Sequence, residues 1–182
     1  AYIGALGAAL ATMVANLSSH KAGWDERWKE FSDWAEKGQK IKDELLFLVD
    51  EDTNAFNKIM DAFSLPKGTD EEKRIRTNAI QEATLYATEV PFKTMQKAFE
   101  AFEVIKAMAE IGNPNSVSDA GVGALCARSA VLGAFLNVKI NAGGIKDKSL
   151  VDDIIAKASE IEQKTIIIEK EILDIVNSKI NL

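Results

Sequence analysis

The chain has 182 residues, 22 of them Lys or Arg and 28 Asp or Glu, for a formal net charge of −6; that length supports one sizeable core, so a single domain over residues 1–182 is expected. The acidic balance excludes a general nucleic-acid binder but leaves room for a small anionic ligand held in a local basic pocket. The lone Cys126 excludes an internal disulfide framework and fits a reducing, cytoplasmic compartment, and the lone His20 has no Cys or His at ligand spacing, so no metal site is expected.

Residues 1–17 (AYIGALGAALATMVANL) read as a helix of small residues. The run approaches the length of a membrane span, but Ala and Gly supply little hydrophobic drive, so a packed core helix rather than a membrane segment is expected. Gly4, Ala8, Ala11 and Ala15 form a stripe at helical spacing that lets another backbone approach. No secretory signal is visible, and an opening at Ala1 inside an apolar run points to residues upstream of this sequence.

A turn at residues 20–23 leads into a long helical run starting at Trp24 or Asp25 and reaching Phe63 or Ser64. Trp24 and Trp28 are four apart and in reach of one another. Gly38 is a candidate kink. Turning 100° per residue from Asp52, Trp34, Ile41, Leu45, Leu48, Phe56, Ile59 and Phe63 all fall within roughly 40° of it, and Ala55 within about 60°. Asp50 points away and Glu51 lies on the flank, both free to stay in water. One acid of the DED cluster thus sits where a core residue should be. A buried carboxyl survives by pairing or by holding its proton, and a carboxyl that holds its proton can act as a general acid. The alternative is a structural Asp bonded to a neighbouring helix, or a stripe whose end opens to solvent.

After the turn LPKG, Thr69 caps the next helix, with Glu72 at the matching capping-box position. Pro91 interrupts that helix, giving either one kinked helix or two that break near Val90, and Gly112 ends it. The polar loop at residues 113–119 (NPNSVSD) precedes another helix, with Ser116 or Ser118 as its N-cap and Asp119 in its first turn. That helix carries a second small stripe, Ala120, Ala124, Ala127 and Ala134, expected to pack on the first. Arg128, Asn137, Lys139 and Asn141 are its polar exceptions, either rim residues or a pocket lining. A last helix from Asp147 to about Lys179 alternates charges on one face and has a heptad-like apolar face suited to a core or a subunit contact. Five to seven helices with short turns imply an all-α, up-and-down antiparallel bundle, in which ligand sites form between facing helices.

Several stretches in order carry a resemblance: GALGAALATMV, LVDEDTNAF, LPKGTDEEKRIRTNAIQEA, VPF, GNPNSVSDAGVGALCARSAV and GAFLNVKIN. With these the chain resembles the cyclodeaminase domain of formiminotransferase-cyclodeaminase and the related bacterial methenyltetrahydrofolate cyclohydrolases, over about residues 2–141. The resemblance implies an all-helical bundle that dimerises or forms a higher homo-oligomer, with folate bound near the subunit contact. It places the cyclodeaminase proton donor on Asp52, with no cofactor beyond the tetrahydrofolate substrate and a place in histidine degradation. Ser118, Asp119 and Asn137 become candidates to bond the pterin or amidine, and Arg128 or Lys139 to pair with the glutamate tail. The glycine-rich PGGGS stretch that precedes the first helix in the family is absent from this sequence, as is the transferase half, which is either fused upstream or a separate partner. A cyclohydrolase on the same scaffold is the second reading, and a non-catalytic helical interaction domain with a structural Asp is the third.

Overall fold

The computed structural model describes residues 1–180. Among these there are five long helices and no strand: α1 (Tyr2–Ser19), α2 (Trp28–Ser64), α3 (Asp70–Ile111), α4 (Val117–Ala142) and α5 (Lys148–Lys179). Short 3-10 turns precede α2 (Asp25–Arg27) and α4 (Pro114–Ser116). Each helix packs on the next but for α4 on α1, which closes a four-helix square, and α5 fills the groove outside α3 and α4. The all-helical bundle expected from the apolar periodicity is therefore present.

The square is held tightly at its α1–α4 edge. Gly4, Ala8, Ala11 and Ala15 are buried, as are Ala120, Ala124 and Ala127, so the two small stripes do meet. A methyl added at Gly7 would sit 2.8 Å from the Gly123 carbonyl oxygen and 3.1 Å from the Ala127 nitrogen. Backbone thus faces backbone, which only glycine permits here. α1 and α4 are each long and apolar enough to cross a membrane by length and composition. Here their small faces are spent on one another.

α2 and α3 carry the larger side chains. Phe31, Ile41, Leu45 and Leu48 point inward from α2, and Met95, Phe102, Ile105 and Met108 from α3. The Lys97 ammonium bridges Glu44 of α2 at 2.8 Å, and Lys37 pairs with Glu103. Thr69 and Glu72 form the expected capping box: the Thr69 hydroxyl accepts from the Glu72 N–H at 3.2 Å and the Glu72 carboxylate from the Thr69 N–H at 2.8 Å. Asp147 caps α5 in the same manner, accepting from the Leu150 N–H.

Several local expectations need correction. α2 opens at Trp28 rather than at Trp24 or Asp25. The intervening 3-10 turn carries Trp24 onto Phe31, with ring centroids 5.5 Å apart, and leaves Trp28 exposed. α2 runs unbroken through Gly38. The glycine leaves space for Thr12 of α1, whose hydroxyl would collide with a methyl there. α3 runs unbroken through Pro91, because the carbonyl that proline strands finds a donor on α4.

Gly7→Ala is expected to lower stability in urea denaturation, by about 1–3 kcal/mol, although alanine gains about 1 kcal/mol over glycine in an unobstructed helix. A more stable Gly7→Ala protein would show that the α1–α4 contact is looser than described.

Candidate active site

Asp52 keeps its place on the inward stripe of α2, between buried Leu48 one turn before it and buried Ala55. Its carboxyl is nevertheless exposed, which corrects the expectation of burial. Gly4 of α1 lies against Leu45, with a methyl added there 3.4 Å from Leu45 Cδ1, and Tyr2 and Ile3 line one cleft with Asp52. Phe56, Met60 and Phe63, which follow along the same side of α2, are exposed too. A helical wheel gives direction around an axis and carries no information on what stands beside each turn.

Asp52 opens onto a cleft of about 420 Å3 between α1, α2, α3 and α4. Leu48 and Asp52 of α2, Pro91 and Thr94 of α3, and Ser129 and Asn137 of α4 line it, with Tyr2 and Ile3 of α1 at its edge. Its size suits a small organic molecule, and its walls are apolar with a few polar groups, the usual make-up of such sites. Asn137 donates one N–H to the Gly133 carbonyl at 3.1 Å. Among the described residues nothing else engages that amide, so its oxygen and second N–H can turn to a ligand.

Of the sequence candidates, Asp52 and Asn137 come together and the others do not. Ser118 and Asp119 sit in the first turn of α4, roughly 27 Å from Asn137 along the helix at 1.5 Å per residue. Arg128 turns toward α5, its Nε 3.9 Å from the Glu169 carboxylate. Lys139 lies over the Phe135 ring, 4.1 Å from its centre. Neither cation enters the Asp52 cleft. Pro91, Thr94 and Ser129 were not singled out as site residues. Pro91 and Ser129 belong to the VPF and ARSAV stretches and Thr94 to none, and an uncharged residue in a helix announces no chemistry.

Glu51 also departs from expectation. It is half-buried rather than free in water. The Tyr86 hydroxyl of α3 donates to its carboxylate, and Asn54 donates to its other oxygen at 2.9 Å. The Tyr86 hydrogen bond, then that of Asn54, holds the Glu51 carboxyl below the usual carboxylate range, while the same bond pushes the Tyr86 phenol up. Lys58 sits 3.8 Å above the Tyr86 ring. Neighbouring acids on one helix therefore have separate tasks: Glu51 ties α2 to α3, and Asp52 faces the cleft. Cys126 is half-buried, and burial pushes its thiol up, as befits a packing residue rather than a nucleophile.

A second surface adjoins the cleft. The outer sides of α1 and α4 expose Tyr2, Leu6, Met13 and Leu17 beside Val122, Leu125, Leu136 and Ile140, the last two at 64% and 75%. α1 contains no Asp, Glu, Lys or Arg at all. Tyr2, Ser129, Gly133 and Asn137 line the cleft where it meets this face.

A helical bundle with a lone carboxylate in a cleft of this size has the form of a small-molecule enzyme rather than a scaffold. Residues 1–160 match the family described as formiminotransferase-cyclodeaminase, and the chain belongs to that family of folate-processing enzymes. It is 35% identical to a methenyltetrahydrofolate cyclohydrolase of Methylorubrum extorquens, over 98% of this chain and 86% of that protein. It is 36% identical to the formimidoyltransferase-cyclodeaminase of Gallus gallus over 79% of this chain, which spans only 26% of that longer protein. In three dimensions it is similar to the formiminotetrahydrofolate cyclodeaminase of Thermotoga maritima, with a TM-score of 0.83, 25% identity, and coverage of 97% of this chain and 84% of that one.

The Glu51–Tyr86 bond has a definite pH signature. A lowered carboxyl contributes stability that is present above its ordinary pKa, about 4.3, and is lost as pH falls through the lower folded value. A raised phenol contributes stability that is present below about 10 and is lost as pH rises through the higher folded value. The melting-temperature difference between wild type and Tyr86→Phe should therefore be flat from about pH 5 to 9 and shrink at both extremes. A difference that is constant from acid to alkali would show that the bond does not form.

Proposed function

We propose that this chain closes 5-formiminotetrahydrofolate to 5,10-methenyltetrahydrofolate with release of ammonia, and that Asp52 carries the proton. The observation that supports this most directly is the accessible carboxyl of Asp52 in a ligand-sized cleft that Asn137 also lines, in a chain of this family.

The chemistry asks for one proton and no electrons. N10 attacks the formimino carbon on N5, and the bond from N10 to that carbon makes a tetrahedral centre. The formimino nitrogen enters protonated, as an amidinium, and so stands as an amine after the attack; N10 then sheds a proton, the amine takes one to depart as ammonia when its bond to carbon breaks, and the positive charge stays on the methenyl bridge. One carboxyl between the two can take the first and deliver the second. Such a group is useful as an accessible carboxylate, so the exposure of Asp52 does not count against the role. The attack is intramolecular, so holding N5 and N10 in a reactive pose supplies much of the remaining acceleration. Asn137, in the same cleft, has the donor and acceptor that the edge of a pterin requires.

A second reading is favoured by the cyclohydrolase relative, which this chain matches along nearly its whole length. There water attacks the same bridge carbon of 5,10-methenyltetrahydrofolate, Asp52 takes the water proton, and the bond from carbon to N5 opens to give the 10-formyl product. Both readings place the same carboxyl at the same carbon.

The apolar α1–α4 face completes the proposal. It is wide, apolar and continuous with the cleft, and such faces are covered in working proteins. We infer a second copy of this chain as the cover, which would roof the cleft and exclude water from it.

Each substrate should be offered in turn. Ammonia release from the formimino compound supports the first reading, and loss of methenyl absorbance without ammonia the second. Asp52→Asn should keep its helical circular dichroism and lose at least about a hundredfold in turnover; wild-type rates in that variant would remove Asp52 from the mechanism. Leu136→Arg should sediment as a monomer where the wild type sediments as a dimer, and two species of equal mass would refute the proposed face.

A further inference from the structure

Pro91 forms part of the cleft wall beside Asp52, and it lies inside an unbroken helix. Proline has no N–H, so the Ala87 carbonyl one turn earlier loses its helical partner. Ala87 is buried, where a stranded carbonyl is costly. The donor comes from another helix: Asn141 Nδ2 of α4 donates to the Ala87 oxygen at 2.6 Å. Asn141 stands one turn beyond Asn137 and so shares its side of α4.

Among the described residues this is the only side-chain hydrogen bond between α3 and α4. The rest of their contact is apolar, and apolar contact is non-directional: it holds two helices together without fixing their register. A directed bond does fix it. Gln81 pins the loop after α4, donating to the Gly144 carbonyl at 3.0 Å and accepting from the Lys146 N–H at 2.8 Å, but these contacts lie beyond the cleft.

We propose that Asn141 is a positioning residue for the Asp52 cleft. Its amide occupies the place in the α3 hydrogen-bond ladder that Pro91 leaves open, and so sets the distance between the proline wall and the strip of α4 that carries Asn137. The proposal rests on the folate reading above for its kinetic consequence, though not for the clamp itself. The gap in α3 and the polar side chain on α4 are a matched pair. With an N–H at position 91, Ala87 would be satisfied within α3, and the second lone pair of its oxygen would still accept from Asn141 and keep the tie to α4.

Three variants test it: Asn141→Leu, Pro91→Ala, and the two combined. Asn141→Leu should speed amide hydrogen exchange in residues 133–142, lower the urea midpoint, and reduce turnover roughly tenfold to a hundredfold, the scale that a displacement of about 1 Å imposes. In the double variant the restored N–H of residue 91 satisfies Ala87, so the urea midpoint should return to that of Pro91→Ala. Turnover should stay at least about tenfold below Pro91→Ala, because nothing restores the tie to α4. A double variant that turns over as fast as Pro91→Ala would show that Asn141 merely satisfies a carbonyl, and would overturn the proposal. So would unchanged exchange of residues 133–142 in Asn141→Leu. If Asn141→Leu alone does not fold, the double variant, which carries no stranded carbonyl, decides both readouts against Pro91→Ala. A wild type that converts neither folate sinks the reading of the previous subsection, while exchange and the urea midpoint still decide the clamp.

Discussion

The backbone-to-backbone approach of α1 and α4 at Gly7 and Gly123 is the constraint on which the rest of the bundle depends. It draws the two most apolar helices together through their smallest residues. Their larger apolar side chains are thereby turned outward: Leu6, Met13, Val122, Leu125 and Ile140 cover the far side rather than the core. A more ordinary seam of leucines would bury those chains and hold the helices further apart. The small seam thus produces a tight core edge and an unpartnered apolar face in one step. The proposed subunit contact is the direct consequence of how the core is made.

Asp52 lies on the α2 stripe where the four helices leave a cleft, so its carboxyl is exposed to that cleft rather than packed into the core. Burial would have imposed a cost on the charge, to be met by a partner or a retained proton. An accessible carboxyl can reach whatever enters, which suits the proposed step that moves a proton between two nitrogens of one substrate.

Two polar bonds then give direction to an otherwise apolar assembly. Tyr86 ties Glu51 of α2 to α3, and Asn141 of α4 closes the gap that Pro91 opens in α3. Both lie within two turns of the cleft along α3. Hydrophobic contact brings these helices together and supplies most of the driving force; directed bonds choose among the registers it permits. Their concentration around the site is consistent with a need for fixed geometry there.

Periodicity determined the class of fold, the small stripes of α1 and α4, the capping box of Thr69 and Glu72, and the direction in which Asp52 points. These depend on near neighbours along one helix, which a sequence shows directly. The tertiary structure alone decided that Asp52 is exposed, that Glu51 is held by Tyr86, and that Asn137 reaches the cleft while Ser118, Asp119, Arg128 and Lys139 do not. Each of these turns on which residues of different helices come level. Apolar patterns state that faces will meet, but the relative heights of two helices are set by packing details such as a glycine opposite a glycine, or an amide opposite a proline gap, that no single helix contains.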